Sequence, residues 1–498
     1  MRRGIGLRNP GSTTRGEEVP ESGCPKRRSL QEVPDLSHSD PGTERRLLDL
    51  ADFAVRLTRS EIPPDVVHSA KRALLDVIGV TIAGAETQTA RVVRELVAEE
   101  YAEGPCTVLG GLRSQPSGAA FANGVSAHAL DFDDTSYSGI VHASAVVLPA
   151  VLAIAEKQHK SGSELLVAFV AGIEAELFLG RILTNYLYER GWWTTALLGT
   201  MGAAVGAAKV LGVAAPQARE ALSLAAGSAA GLGRSLGTAG KPYYVGRAAA
   251  AGQQAASVAA RGRLRMPDMF CGQANFVSLF NNDVCELEAL DDLGQVYALQ
   301  DPGIAFKLYP VCSAAQAAVE AVKAVICGEG LLAREVGRVR CEVTPLVYSS
   351  LRYDRPSSVE EAQFSLPFAV GCMIAFGEMG PSQLNAELLR DRTLLRAMEV
   401  VEMVPSVDFL AEGESLDQAP EGARVTVETT DGRVFERTNP VASGMPSRPL
   451  SDADLKRKFH ACVGRTRTEA EADRLLERIW NLESISAAEL LAPLSRGE

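Results

Sequence analysis

Histidine is scarce in this chain: six in 498 residues, at His38, His68, His128, His142, His159 and His460. Imidazole chemistry is therefore confined to very few places. Positive charge is short as well, with 50 Lys and Arg against 62 Asp and Glu and a net charge of −12. No basic block occurs beyond the first 30 residues, which speaks against nucleic acid as a partner. The nine cysteines, from Cys24 to Cys462, form no CxxC and no zinc-type spacing. That excludes a disulfide scaffold and fits thiols in a reducing cytoplasm. The opening residues carry charge but no apolar stretch of the kind a secretory signal needs. The uncharged run "GWWTTALLGTMGAAVGAA", 191–208, is broken by glycines and paired threonines, so it reads as a buried helix rather than a membrane span. A cytoplasmic protein with no membrane partner is the expectation.

What the chain does have is two textures. Residues 1–44 are rich in Pro, Gly, Ser and Arg without periodicity, which predicts a disordered leader. From 45 to 295 almost everything reads as helix. "PPDVVHSAKRALLDVIGVTIAG" opens on prolines and stops at Gly84, the usual asymmetry of a helix. Later segments such as "ALLGTMGAAVGAAKVLG" and "RAAAAGQQAASVAARG" are Ala- and Gly-rich and nearly uncharged, so they are expected to be central and mutually buried. After 295 strands enter. "GRVRCEVTPLVY" (338–348) has β-branched alternation, and "ARVTVETTDGRVFERT" (423–438) is a hairpin turning at Asp431-Gly432. "SSVEEAQFSLPFAVGCMIAFG" predicts one helix opened by a Ser358–Glu361 capping box, and Ser451 with Asp454 opens another. A chain this long exceeds a single core. The fold class is therefore mainly α: a large all-helical domain (45–295), a smaller α+β domain (296–440), and C-terminal helices (441–498) packing back on the first.

The chemistry concentrates in "DFDDTSYSGIVH", 131–142. Three carboxylates within four residues repel one another, so the cluster is either a solvated turn capping the next helix or a site that binds a metal or moves protons. Two lysines invite comparison with it. Lys241 follows a glycine-flanked loop and precedes an Ala-rich helix, and Lys307 sits in "AFKLYPVCSAAQAAVEAV". A lysine in such apolar company is costly to bury unless it meets an anion.

"NGVSAHALDFDDTSYSGIVHASAVVLPAVLA" resembles the signature segment of the MmgE/PrpD family. The resemblance continues through "FVAGIEAELFLGRIL", "KPYYVGRAAAAG", "FKLYPVCSAAQAAVEA", "EEAQFSLPFAVG" and "PLSDADLKRKFHACVG", covering roughly residues 45 to 490. The family's reactions include 2-methylcitrate dehydration, cis-aconitate decarboxylation and iminodisuccinate epimerisation. The resemblance implies a homodimer whose α+β domain forms a lid over the helical domain. It also implies a cleft between the domains that binds a small carboxylic acid with no metal and no organic cofactor. By motif match, Asp131 and Thr135 would face the substrate, His142 would transfer protons, and Lys241 and Lys307 would grip carboxylates. A nearby aspartate is expected to orient the imidazole and raise its pKa. A dehydratase- or decarboxylase-type lyase follows, working through an anion that fixed cations stabilise.

The chain departs from the family pattern at three places where many relatives have histidine: Trp193, Tyr244 and Gln316. These are assigned to substrate binding, and they point to a specialised lyase. Tyr348 and Tyr353 are further candidates to reach the cleft. The alternatives within the family are an isomerase or epimerase and a non-catalytic member. From another class comes a magnesium-dependent terpene synthase, suggested by "DFDDT". There a further acid is expected where Tyr137 stands, and the second metal motif is missing.

Overall fold

The computed structural model describes residues 45–263, 265–406 and 421–494. The expected leader, 1–44, lies outside them. The helices that carry the architecture are α1 (Pro64–Gly84), α2 (Pro116–His128), α3 (Ala143–Lys157), α4 (Gly162–Leu183), α5 (Thr194–Leu211), α6 (Ala215–Ser228) and α7 (Gly240–Ala259). In the second half come α8 (Ser313–Glu329), α9 (Pro345–Ser350), α10 (Leu366–Phe376) and α11 (Asp452–Val463). The mainly α fold class holds, with a small sheet in the C-terminal half.

Helices α2, α3, α4 and α7 surround α5 or pack on one another around it. Small residues make this possible. A methyl on Gly246 of α7 would lie 2.4 Å from the Phe121 carbonyl oxygen of α2, so the two backbones touch there. α5 is apolar enough to cross a membrane, but 89% of it is buried inside the protein. It is a core helix, as its glycines and threonines suggest. One short hairpin interrupts the helices: β1 (Cys106–Val108) and β2 (Leu112–Ser114), turning through Gly110 and Gly111, both at positive φ. The helical reading of 45–295 missed it because its strands are only three residues long.

The C-terminal sheet runs β4 (Val401–Pro405), β3 (Val336–Val343), β5 (Ala423–Thr429), β6 (Val434–Asn439). β3 is parallel to β4 and antiparallel to β5, and β5–β6 is the expected hairpin with Gly432 at φ 89°. α8 and α10 pack on this sheet. Two sequence expectations shift here. The strand expected over 338–348 ends at Val343, and α9 begins at Pro345 with the Thr344 side chain accepting from Val347 N–H. The single helix expected from Ser358 is two helices, Val359–Ala362 and α10. Ser358 caps the first as expected, but the Glu361 carboxylate reaches back to Ser357 instead, and Ser365 caps α10 afresh.

Apolar side chains form two buried clusters, one among the helices and one around the sheet. The second also takes in Val80 and Ala83 of α1, Leu130 and Phe132 of the aspartate loop, and Cys462 of α11. The loop therefore lies on the seam between the clusters. α11, opened by the expected Ser451–Asp454 box, packs on α1 with Lys458 paired to Asp76 at 2.7 Å.

One core residue carries a stability prediction. Glu176 of α4 is fully buried, and neither carboxyl oxygen has a hydrogen-bond partner among the described residues. Burial, with Asp134 adding to it, pushes its pKa well above the usual carboxylate value. The folded chain thus keeps a proton that the unfolded chain releases above about pH 4.3. Stability from this group is lost as pH rises through that window. Glu176→Met, which keeps the length without the charge, is expected to stabilise by about 1–3 kcal/mol. Its advantage should grow between pH 5 and pH 8 in urea unfolding. A uniformly destabilised variant would contradict this.

Candidate active site

Alternation along the loop that follows α2 sorts its side chains. Leu130 and Phe132 enter the sheet-side cluster, and the aspartates between and after them make the polar contacts described below. Asp131 sits at φ 47°, a left-handed conformation that Asp tolerates better than most residues. Three remote segments clamp the loop. Lys458 Nζ donates to the Phe132 carbonyl at 2.7 Å. Thr135 and Ala305 exchange both backbone bonds, at 3.0 and 2.7 Å, which brings Phe306-Lys307 alongside. Gln363 donates to the Ala129 carbonyl at 2.9 Å.

The three aspartates have three different jobs. Asp134 caps the first turn of α3, accepting from Ser144 N–H at 3.3 Å and from the Ser144 hydroxyl. Burial pushes its carboxyl up to about 7. Asp131 Oδ1 accepts from Lys241 at 2.7 Å and Lys307 at 2.8 Å, and Lys307 also donates to the Asp131 carbonyl at 2.9 Å. These side chains are all buried. Burial would raise the Asp131 pKa, but the two ammonium groups hold it well below the usual range. At Lys307 burial is outweighed by Asp131 and Asp133, and the pKa rises. At Lys241 burial prevails and the pKa falls. Lys241 also faces two rings, Trp193 at 4.9 Å and Phe364 at 5.2 Å.

Asp133 serves the histidines. Its Oδ2 is 2.8 Å from His128 Nδ1 and 3.5 Å from His142 Nδ1. Burial acts against its charge, yet the two rings draw its pKa down to about 2. His142 is the residue that caps α3's start by position, and its Nδ1 lies 2.7 Å from the Asp134 carbonyl oxygen. A carbonyl can only accept, so Nδ1 carries the proton and Nε2 of the neutral ring is a lone-pair acceptor. The expectation of a raised imidazole pKa is reversed. Burial lowers it well below 6.5, Asp133 only partly offsets this, and Lys307 adds to the lowering. His128, 4.6 Å away ring to ring, is likewise lowered by burial.

Asp131, Thr135, His142, Trp193, Lys241 and Lys307 line one cavity of about 40 Å³. The structure therefore gathers all four residues assigned to catalysis, together with Thr135 and Trp193. Tyr244 and Gln316 do not line it. Tyr244 packs against the helical cluster and against Tyr243. Gln316 is spent on its own loop, accepting from Leu308 and Tyr309 N–H and donating to the Tyr309 and Val311 carbonyls. It shapes the turn after Lys307 rather than the cavity wall. Nor do the lid tyrosines line it. Because 345–350 is helical, Leu346 and Ser350, four apart, face the cavity, and Tyr348 between them is exposed. Tyr353 packs edge-on to Gly237.

The cavity wall also contains Cys312 and Glu421, the second of which sequence reasoning missed. Glu421, just ahead of β5, accepts from the Tyr137 hydroxyl and, at 3.1 Å, from Ser313. Burial pushes its carboxyl up to about 7. Cys312 is there too, its thiol pushed up to about 12 by burial and so neutral. A larger depression of about 500 Å³ lies between Tyr348 and Met403. It gathers Asp354, Arg355, Glu399 and Glu402 but no histidine or lysine, so chemistry and not size locates the site.

One oxygen or nitrogen each from His128, Asp131, Asp133 and His142 lies within 4.8 Å of the others, a spacing a metal could use. Each of the four already has one atom engaged, Asp131 by two ammonium groups and both histidines through Nδ1, while His128 Nε2, Asp131 Oδ2 and Asp133 Oδ1 have no hydrogen-bond partner among the described residues. The acids of "DFDDT" face the chain's own groups: Asp131 two lysines, Asp133 two histidines and Asp134 the start of α3.

Comparison with known proteins points one way. The model of the MmgE/PrpD N-terminal domain matches residues 48–285, and that of the C-terminal domain matches residues 309–483. Cis-aconitate decarboxylase of Homo sapiens is 28% identical over 457 residues, 87% of this chain and 90% of that protein. The Mus musculus enzyme of the same name is 26% identical over 452 residues, 87% and 89% of the two chains. The cis-aconitate decarboxylase-like protein oryM of Aspergillus oryzae is 25% identical over 474 residues, 90% and 96% of the two chains.

Proposed function

This chain belongs to the MmgE/PrpD family, and on that premise we propose that it is a lyase that decarboxylates a small unsaturated polycarboxylic acid without metal or organic cofactor. The observation that carries the reading is the meeting of Lys241 and Lys307 on Asp131, at 2.7 and 2.8 Å, beside the open Nε2 of His142. Loss of carbon dioxide leaves an electron pair that a neighbouring carboxylate delocalises as an enediolate. Two buried ammonium groups, fixed in place, stabilise that charge without reorganising. Asp131 neutralises part of their charge, which suits an acid bearing few carboxylates in direct contact. Trp193 makes this wall apolar and holds Lys241 in place. His142, kept neutral by burial, accepts a hydrogen bond from the substrate through Nε2 and so helps to orient it.

A cavity of about 40 Å³ is well below the roughly 300 Å³ at which small-molecule pockets begin, so substrate entry requires it to widen. The cytoplasm is the proposed location, in keeping with buried free thiols at Cys106, Cys341, Cys372 and Cys462.

A second reading is favoured by one observation, the base-ready tautomer of His142. A neutral imidazole with Nε2 open suits removal of a proton next to a carboxylate, which begins a dehydration or an epimerisation. Incubation in D₂O with a panel of small di- and tricarboxylic acids separates the two. Decarboxylation gives carbon dioxide matched mole for mole by a product carrying one new deuterium, read by mass spectrometry and NMR. Deuterium exchange into substrate without carbon dioxide would replace the first reading with the second.

A further inference from the structure

We propose that Glu421 is a catalytic residue of this site, the acid that delivers a proton to the carbon anion, held in place by Tyr137 and Ser313. The inference rests on the decarboxylation reading and names the proton source that reading lacks. Decarboxylation consumes a proton: the carbon–carbon bond breaks, carbon dioxide leaves, and the electron pair left on carbon must form a C–H bond. The groups that line the cavity differ in whether they can supply it. Neutral His142 has its only N–H on Nδ1, facing the Asp134 carbonyl and not the cavity. Asp131 is held ionised by two lysines. The ammonium groups are themselves committed to that carboxylate, and giving up a proton would remove the charge that stabilises the anion.

Glu421 stands in the wall of the same cavity, which is also lined by both lysines and His142. Its side chain is pinned from two separate elements: Tyr137 belongs to the aspartate loop and Ser313 to the start of α8. The tyrosine and serine contacts fix the carboxyl's rotamer, so its remaining lone pair or proton is directed by geometry and not by solvent. The groups facing it are the Tyr137, Tyr188 and Ser313 hydroxyls, the Cys312 thiol, Lys307 and Asp131. Of these, the tyrosines and the thiol are held neutral by burial, and Lys307 and Asp131 are held charged by each other. With its carboxyl raised to about 7, Glu421 is the cavity-lining acid that holds a transferable proton near neutrality. After the C–H bond forms, the carboxylate takes a fresh proton from water when the cavity opens, and the cycle balances.

The test is kinetic. Wild-type kcat should fall as pH rises through about 7, because the acid must be protonated. Glu421→Gln, with its melting temperature checked, should lose turnover on the order of 10²-fold, with KM little changed and the limb near pH 7 gone. Tyr137→Phe, which leaves the carboxyl in place, should shift that limb and lower kcat less. If Glu421→Gln fails to fold, Tyr137→Phe and Ser313→Ala carry the same readout. Wild-type turnover with an unchanged rate and pH profile in these variants overturns this inference and leaves the function standing. Absence of carbon dioxide release by the wild-type chain from every acid tried overturns both.

Discussion

Asp131→Asn is expected to lose about 3–5 kcal/mol of stability and nearly all turnover, although the new side chain has almost the same shape. Asparagine tolerates the left-handed backbone at φ 47°, so strain is not the cause. The cause is charge. Lys241 and Lys307 are both buried and both donate to Asp131 Oδ1, at 2.7 and 2.8 Å. Removing one partner of a buried ion pair leaves the other uncompensated, which is the origin of the 3–5 kcal/mol figure. Here one carboxylate serves two ammonium groups, so the loss belongs at the upper end. The Asp131 pKa is depressed in the fold. Its contribution is therefore fully present above its unfolded value of about 3.9 and disappears only in stronger acid, as pH falls through the folded value. Chemical unfolding of the two proteins from pH 8 down to pH 3 should show a constant gap that begins to narrow only below about pH 3.9. A variant as stable as the parent at pH 7 would mean that the lysines are hydrated and the site is open.

The contrast between the aspartates explains what could and could not be read from the sequence. That an acidic cluster, a histidine and two distant lysines belonged together was legible, because a lysine in apolar surroundings needs an anion and the resemblance to the family assigned all of them to one cleft. The division of labour was not. Asp131, Asp133 and Asp134 are nearly adjacent in the sequence, yet they hold lysines, histidines and a helix start respectively. The difference comes from backbone torsions and from which face of the loop meets Leu130 and Phe132, and no local spacing encodes either. The same limit applies to His142. Proximity to acids predicted a raised pKa, but the extent of burial and the approach of Lys307 decided the sign.

Long periodic helices and the 423–438 hairpin were readable because each rests on local patterning. The end of β3 was not, since Thr344-Pro345 is compatible with strand or helix until a tertiary partner chooses. Because the strand stops at Val343 and a helix follows, Leu346 and Ser350, and not Tyr348, line the cavity. Glu421 had no local signal whatever. It becomes part of the site only because β5 is paired beside β3 and α8 packs on the sheet.

Lys307→Met and Lys241→Met are each expected to lower kcat by about 10³-fold or more, and they should differ in how they do it. Deleting one neutral donor from an oxyanion site costs on the order of 10²–10³-fold, and a full charge in a cavity this enclosed sets a higher floor. Methionine keeps most of the buried stem, so the variants test the ammonium more than the packing. Neither change is neutral to folding, because Lys241 and Lys307 are each 3% exposed and paired. The cost should still stay below that of Asp131→Asn, since the remaining lysine keeps the carboxylate satisfied. Lys307 also ties down the Asp131 carbonyl at 2.9 Å, so its loss should loosen the loop and raise KM along with lowering kcat. Among the described residues Lys241 donates to the carboxylate and faces two rings, so its loss should appear mainly in kcat. The wild-type pH profile carries the same signature. Burial lowers the Lys241 pKa while Asp131 and Asp133 raise that of Lys307. Beyond the limb near pH 7 assigned to Glu421, any further alkaline loss should therefore follow Lys241, which deprotonates before Lys307, and should be absent from the residual activity of Lys241→Met. Retention of a tenth of wild-type kcat in either variant would show that the anion is stabilised elsewhere.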